Sequence, residues 1–96
     1  MGIEFDPKKS AENLRKHGIA FSELEPAFYD DYALTFEDTD ASGEQRFISL
    51  AMDGLCRLVV ICFTERKGNI RIISARKASS AERAKYDEKR LRLQQR

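Results

Sequence analysis

The sequence predicts an α+β protein built on a single antiparallel β-sheet of about four main strands plus a short N-terminal strand, with two N-terminal helices and one C-terminal helix. Three observations predict this fold. Helix-capping patterns occur near the two ends of the chain, and apolar residues alternate with polar ones through its middle. The run LVVICF (58–63) is apolar throughout, which is typical of a central strand buried on both faces. The length of 96 residues fits one domain, residues 1–96.

The N-terminal part begins with a strand and continues with helices. The stretch IEF (3–5) alternates apolar and polar residues and predicts the short strand. Asp6 and Pro7 suit the N-cap and the first position of a helix, which Gly18 would end. The stretch SELE (22–25) fits a capping box and predicts a second, short helix.

Period-two alternation begins at Tyr32, and the main strands are predicted over residues 32–37, 45–52, 57–64 and 70–75, of which the third contains the continuous apolar run. Turn-forming residues separate them at 38–43, 53–54 and 67–69. Ser79 and Glu82 form another capping-box pattern and predict a final helix towards Gln94. This helix has a weak apolar stripe, so we expect it to pack lightly or on a partner. The stripe consists of Ala84 and Leu91, with Tyr86 as a further candidate.

Composition limits the classes of protein. The apolar fraction of 42% is that of a globular chain. No apolar run reaches the ~20 residues of a membrane helix, and the N-terminus lacks a signal-peptide pattern. Cys56 and Cys62 form no CxxC motif and only one histidine is present, which argues against a zinc site. We interpret both cysteines as reduced core residues of a cytoplasmic protein, and we expect no metal, no cofactor and no membrane contact.

Charge is distributed unevenly along the chain. Residues 1–48 carry 5 Lys and Arg against 11 Asp and Glu, whereas residues 49–96 carry 12 against 5. The excess of cations is concentrated in TERKGNIRIISARKAS (64–79), a predicted hairpin that contains a single acid, Glu65. Two readings stay open: the cations form a face that binds a polyanion, or the two halves interleave and neutralise each other.

The residues also resemble a known family. The stretches FDPKKSAENLRKHGIAFSE (5–23) and TERKGNIRIISARKASSAERAKYDE (64–88), with GEQRFISLA (43–51) between them, resemble the BrnT family of bacterial toxins. The resemblance implies a RelE-like ribonuclease fold and the toxin role in a type II toxin–antitoxin pair, which cleaves RNA and inhibits translation. It implies a BrnA-like antitoxin with a ribbon-helix-helix part as partner, and contact with operator DNA only through that antitoxin.

RNA can be cleaved without metal when its 2′-hydroxyl is deprotonated and the charge gathering on the phosphate is stabilised. Arginine forks suit that phosphate, and histidine exchanges protons readily near neutral pH. On the family resemblance the candidate catalytic residues are His17, Glu65, Arg66 and Arg76. Candidate RNA-binding residues are Lys16, Arg46, Arg71 and Lys77. Each basic residue has an alternative reading as a solvated cation or an ion-pair partner, His17 as a helix cap or packing residue, and Glu65 as a residue that orients Arg66. The catalytic hypothesis requires guanidinium groups that are not occupied by ion pairs within the chain.

The sequence departs from the family pattern at three positions. Ala41 stands where family members often have histidine, Ala51 where glycine is usual, and Phe63 where tyrosine is common. The alternative function is therefore that of a catalytically weakened toxin homologue, which acts mainly as an antitoxin-binding module in the autoregulation of its operon.

Overall fold

A computed structural model of the chain describes residues 2–39 and 43–95. The predicted turn at 38–43 lies partly outside the described residues, and Ala41 lies wholly outside them. The helices are α1 (Pro7–His17) and α2 (Ser80–Gln94), with 3₁₀ turns at Phe21–Glu23 and Glu25–Tyr29. The strands are β1 (Ile3–Glu4), β2 (Leu34–Glu37), β3 (Phe47–Met52), β4 (Leu58–Arg66) and β5 (Asn69–Lys77).

The strands form one sheet in the order β1-β5-β4-β3-β2. The apolar run within β4 is therefore central, as predicted. Strands β2 to β5 pair antiparallel, but β1 pairs parallel to β5, with Ile3 opposite Ile70. The expectation of a purely antiparallel sheet is wrong, because the direction of β1 depends on where α1 carries the chain and not on any local turn.

The first helix begins and ends where predicted. The Asp6 side chain accepts a hydrogen bond from the Lys8 N–H, and Gly18 ends the helix with a φ of 73°. The predicted second helix is wrong, since the chain forms two 3₁₀ turns there. Glu23 accepts from the backbone N–H of Ala20 instead of continuing a helix from residue 22. Pro26, without an N–H, also interrupts an α-helical ladder.

The two faces of the sheet are covered unequally. The 3₁₀ turns and the segment after α1 cover one face, and its buried core comprises Ile19, Phe21, Leu24, Ala27, Ala51, Val59, Ile61, Phe63, Ile70, Ile72 and Ala75. On the other face, α2 contributes Tyr86 to a smaller cluster with Leu50, Leu58 and Val60. We call the rest of that second face the open face. A row of side chains crosses it from the edge strand β2 to β5, and consists of Phe36, Ile48, Cys62 and Ser74.

Few contacts attach α2 to the sheet. The buried Tyr86 donates its hydroxyl to Asp30 at 2.7 Å, and Lys89 donates to the carbonyl of Ala33. The predicted stripe is wrong for Ala84 and Leu91, which are exposed. Tyr86 provides the buried anchor instead, so light packing is confirmed, and α2 leaves much of the second face uncovered.

The cysteines differ in their surroundings. Cys56 is exposed in the loop between β3 and β4, so its assignment to the core is wrong. Cys62 is partly buried on β4. Among the described residues, no helix combines the length and the apolar character needed to cross a membrane.

Candidate functional site

A cleft of about 310 Å³ lies over the open face. Its floor is a row of side chains from four neighbouring strands, in which Phe36 is opposite Ile48, Ile48 opposite Cys62, and Cys62 opposite Ser74. The floor is apolar towards β2 and β3 and more polar towards β5. Burial raises the pKa of the Cys62 thiol, which makes this group a neutral part of the floor.

Arg76 and Glu82 stand at one end of the cleft. Arg76 lies opposite Val60, one row along the face from Cys62. Its two terminal nitrogens donate to the two carboxylate oxygens of Glu82 at 2.8 and 2.9 Å. This guanidinium, together with the N–H of Ser79, holds the pKa of Glu82 at about 2. Glu82 is therefore ionised at neutral pH, and it can orient Arg76 but cannot donate a proton.

Asn13 fixes the position of His17 at the rim of the same cleft. The buried Asn13 side chain accepts from the N–H of Ala75 at 3.1 Å and donates to the carbonyl of Ile19 at 2.8 Å. Helix α1 is thereby held against the part of β5 that β1 does not reach. His17 follows Asn13 by one helical turn and lines the cleft with Arg76. Lys16 and His17 also border a shallow groove that contains Ser74.

Three arginines gather at the opposite end of the open face. Arg66 donates to both carboxylate oxygens of Glu44 at 2.7 and 3.0 Å. This hydrogen-bonded guanidinium, with the nearby charges of Arg46 and Arg71, lowers the pKa of Glu44. We call Arg46, Arg66 and Arg71 the arginine cluster.

A β-bulge is needed for this arrangement. The register between β4 and β5 shifts at Cys62 and Phe63, so that Ser74 is opposite Cys62 whereas Arg71 is opposite Thr64. Side chains alternate between the faces of a strand, and Cys62 and Thr64 share one face. The extra residue on β5 therefore puts Arg71 on the same face as Ser74, which a regular strand would not do.

Both predicted catalytic arginines are held in ion pairs within the chain, contrary to what the catalytic hypothesis required. The pairs are not buried, however. The side chains are 51% and 43% exposed in the pair of Arg66 with Glu44, and 49% and 28% exposed in the pair of Arg76 with Glu82. Exposed pairs of this kind contribute little to stability. A phosphate that offers two oxygens in the same fork geometry can replace either carboxylate.

The candidate residues do not all converge. Arg66 lies on β4, whereas Arg76 lies on β5 opposite Val60 of β4. Val60 and Arg66 are six residues apart, so the two arginines are separated by ~20 Å along the strand direction. They cannot bind the same phosphate. Glu65 alternates onto the covered face, and Glu44 is the carboxylate that orients Arg66. Lys77, opposite Val59, also belongs to the covered face.

Sequence reasoning missed several residues of the cleft and its ends. They are Phe36, Glu44, Ile48, Cys62, Ser74 and Glu82. The capping box placed Glu82 at the start of the helix that follows Arg76, so the sequence contained a signal for the ion pair between them. The sequence contained no signal for the pair of Glu44 with Arg66, because Arg66 comes from a distant strand.

Two of the departures from the family pattern lie away from this cleft. Ala51 is buried on the covered face. The ring of Phe63 packs at 5.2 Å from that of Phe28 and at 5.7 Å from that of Phe47, also on the covered face. A tyrosine at position 63 would therefore place its side chain on the covered face, so the replacement by phenylalanine removes no hydroxyl from the open face.

The comparisons with known proteins agree with this architecture. The model of a family described as "Ribonuclease toxin, BrnT, of type II toxin-antitoxin system" matches residues 5–82. The chain belongs to this family. The match includes both ends of the open face, and type II membership implies a protein antitoxin as partner.

A solved structure is also similar. It is the 1.1 Å crystal structure of the Brucella abortus ribonuclease toxin BrnT, which superposes with a TM-score of 0.67 at 24% sequence identity. The match covers 83% of this chain and 99% of that one, and at this identity it shows a shared fold. A comparison with curated protein sequences gave no match.

Proposed function

We propose that the protein is the toxin of a type II toxin–antitoxin pair and that it cleaves RNA without metal at the Arg76 end of the open face. The observation that carries this proposal is that His17 and Arg76, which come from distant parts of the chain, line one cleft. A proton acceptor and a guanidinium fork that line the same cleft suit an attack of the RNA 2′-oxygen on the adjacent phosphorus.

Each residue has a distinct task in this reaction. His17 takes the proton of the 2′-hydroxyl while the 2′-oxygen forms a bond to phosphorus. Arg76 leaves Glu82 and binds the phosphate oxygens, where negative charge increases in the transition state. The bond from phosphorus to the 5′-oxygen then breaks, solvent protonates that oxygen, and the other product ends in a 2′,3′-cyclic phosphate. The arginine cluster holds a more distant part of the RNA backbone by charge.

A cleavage assay in EDTA tests the proposal. Wild-type protein should cut RNA and leave 2′,3′-cyclic phosphate ends, and His17→Gln should lower the rate by about 10²–10⁴-fold because the proton acceptor is lost. Arg15→Gln is a matched control, since Arg15 is exposed near the same helix end and does not line the cleft. Its rate should stay close to that of wild type.

Two results would contradict this assignment. The first is RNA left intact by wild-type protein that still binds its antitoxin, which would support the alternative of an antitoxin-binding module. The second is an equal loss of activity in both variants.

We further propose that this cytoplasmic toxin inhibits translation and is neutralised by a BrnA-like antitoxin with a ribbon-helix-helix part, which alone contacts operator DNA. In the described part of the chain, the 3₁₀ turns and strands β2 to β5 lie between α1 and α2 in sequence, so the two helices do not form a helix-turn-helix unit. Expression of the toxin alone should halt protein synthesis. Co-expression of its antitoxin, which we expect a short adjacent reading frame to encode, should restore it. In gel shifts, operator DNA should bind the complex and not the toxin alone; a shift by the isolated toxin would refute this division of roles.

A further inference from the structure

Phe36 is an exposed aromatic residue on the edge strand β2, at the end of the row of side chains that forms the floor of the cleft. It is 57% exposed although it belongs to a strand and borders the cleft. Within residues 2–39 and 43–95, the paired rings are Phe5 with Phe21 and Phe63 with Phe28 and Phe47, and no pair includes Phe36. A flat apolar surface on a well-fixed strand is thus left available to a ligand.

Cationic rows lie on both sides of the row that contains Phe36. The row of Arg76 and Val60 lies on one side, and the row of Arg71 and Thr64 lies on the other, followed by Arg66. Each row is separated from the next by two residues, or ~7 Å. The centre of the face is apolar, so it is unsuited to phosphate, whereas its two ends carry the guanidinium groups. A nucleic-acid strand whose phosphates follow the arginines along β4 and β5 can extend a base across the apolar row towards Phe36, which lies three strands from β5.

We propose that the open face binds a single-stranded RNA segment, with one base stacked on Phe36 and the flanking phosphates held by Arg76 and by the arginine cluster. The inference rests on the proposed function in that the phosphate at Arg76 is the one that is cleaved. It adds that the substrate is single-stranded RNA. A duplex is excluded because its bases stay stacked inside the helix, so none of them can stack on Phe36. The rows of Arg76 and Arg66 are ~20 Å apart along β4, so the bound segment must be several nucleotides long.

The guanidinium forks favour RNA over a protein segment as the occupant. Arg66 and Arg76 each present a fork to a carboxylate, and Arg46 and Arg71 add positive charge beside Glu44. The charges of Glu4 and Asp38 also reach this face, at Arg66 and Cys62 respectively. An RNA strand that releases Glu44 and Glu82 brings its own phosphates to the same forks. The antitoxin also requires a surface, so the experiment must separate the two occupants.

Tryptophan fluorescence offers a direct test, since the chain contains no tryptophan. In Phe36→Trp, a single-stranded oligonucleotide without 2′-hydroxyls should quench the emission, because a base stacks on the indole. Such a strand cannot be cleaved through a 2′-oxygen, so the result does not depend on whether the protein is a nuclease. Tyr29→Trp is the control, because Tyr29 is 65% exposed but does not line the cleft. A duplex of the same sequence should leave both variants unquenched.

Affinity measurements complete the test. Phe36→Ala should weaken binding of the same single strand by roughly 5- to 150-fold, whereas Phe36→Tyr should retain it. Shortening the strand from six nucleotides to two should weaken binding to wild-type protein, because two nucleotides cannot reach the arginine cluster.

Three results would overturn the inference. They are no quenching by the single strand, equal quenching by the duplex, or unchanged RNA affinity of Phe36→Ala combined with weaker antitoxin binding. The last would assign the open face to the antitoxin. If the single strand binds as expected but RNA is never cut, the proposed cleavage fails while the binding surface stands.

Discussion

Arg76→Ala should lower the rate constant for RNA cleavage by about 10²–10³-fold, the loss expected when one group that stabilises transition-state charge is removed. Arg76→Lys should recover only part of the rate, because an ammonium group lacks the planar fork that fits two phosphate oxygens. Single-turnover cleavage with saturating protein isolates this chemical step. Arg66→Ala should instead weaken RNA binding with a smaller change in that rate, since Arg66 lies ~20 Å away along the sheet.

Two further variants make the test of Arg76 specific. Arg83→Ala removes an exposed cation from the neighbouring helix and should leave the rate near that of wild type. Glu82→Gln retains an acceptor for the backbone of Ser79 but removes the charge that competes for Arg76. It should bind RNA at least as tightly as wild type. A loss in Glu82→Gln as large as that in Arg76→Ala would mean that the ion pair itself, and not the free guanidinium, is required.

Asp53→Ala should lower the free energy of unfolding by roughly 3–5 kcal/mol, because it breaks a buried charged network. The side chain of Asp53 is fully buried and accepts from the N–H groups of Leu55 and Arg57 at 2.9 Å and from Arg57 Nε at 2.8 Å. Arg57 also donates to the carbonyl of Gly18, so the network joins the loop between β3 and β4 to the end of α1. Urea unfolding followed by circular dichroism measures this loss.

The loss should also appear as a fall of more than about 12 °C in melting temperature, given the size of the domain. Glu88→Ala, which removes an exposed carboxylate from α2, should change the unfolding free energy by less than about 0.5 kcal/mol. Asp53→Asn should fall between the two, since its amide retains one acceptor oxygen. Similar unfolding curves for Asp53→Ala and Glu88→Ala would show that the network does not stabilise the fold.

The predicted elements that held are those that local chemistry specifies. Asp6 begins α1 and Gly18 ends it, and the capping box of Ser79 and Glu82 begins α2. The apolar run of β4 occupies the centre of the sheet. Caps act within a few residues, and burial on both faces is visible as an uninterrupted apolar run, so a single sequence carries both signals. The family resemblance is likewise carried by motifs along the chain, from residue 5 to residue 88.

Contacts between distant segments decided the rest. The direction of β1, the bulge that turns Arg71 to the open face and the pairing of Arg66 with Glu44 all depend on which segments meet in space. The exposure of Phe36 is the clearest case. Its alternating pattern predicts an apolar strand face, but whether that face is covered depends on how far α2 extends across the sheet. The sequence determined by itself the bounds of α1, the start of α2 and the central place of β4, because these signals are local. Only the tertiary structure decided which face stays open and which charges meet there, because packing and charge pairing join residues that are far apart in the chain.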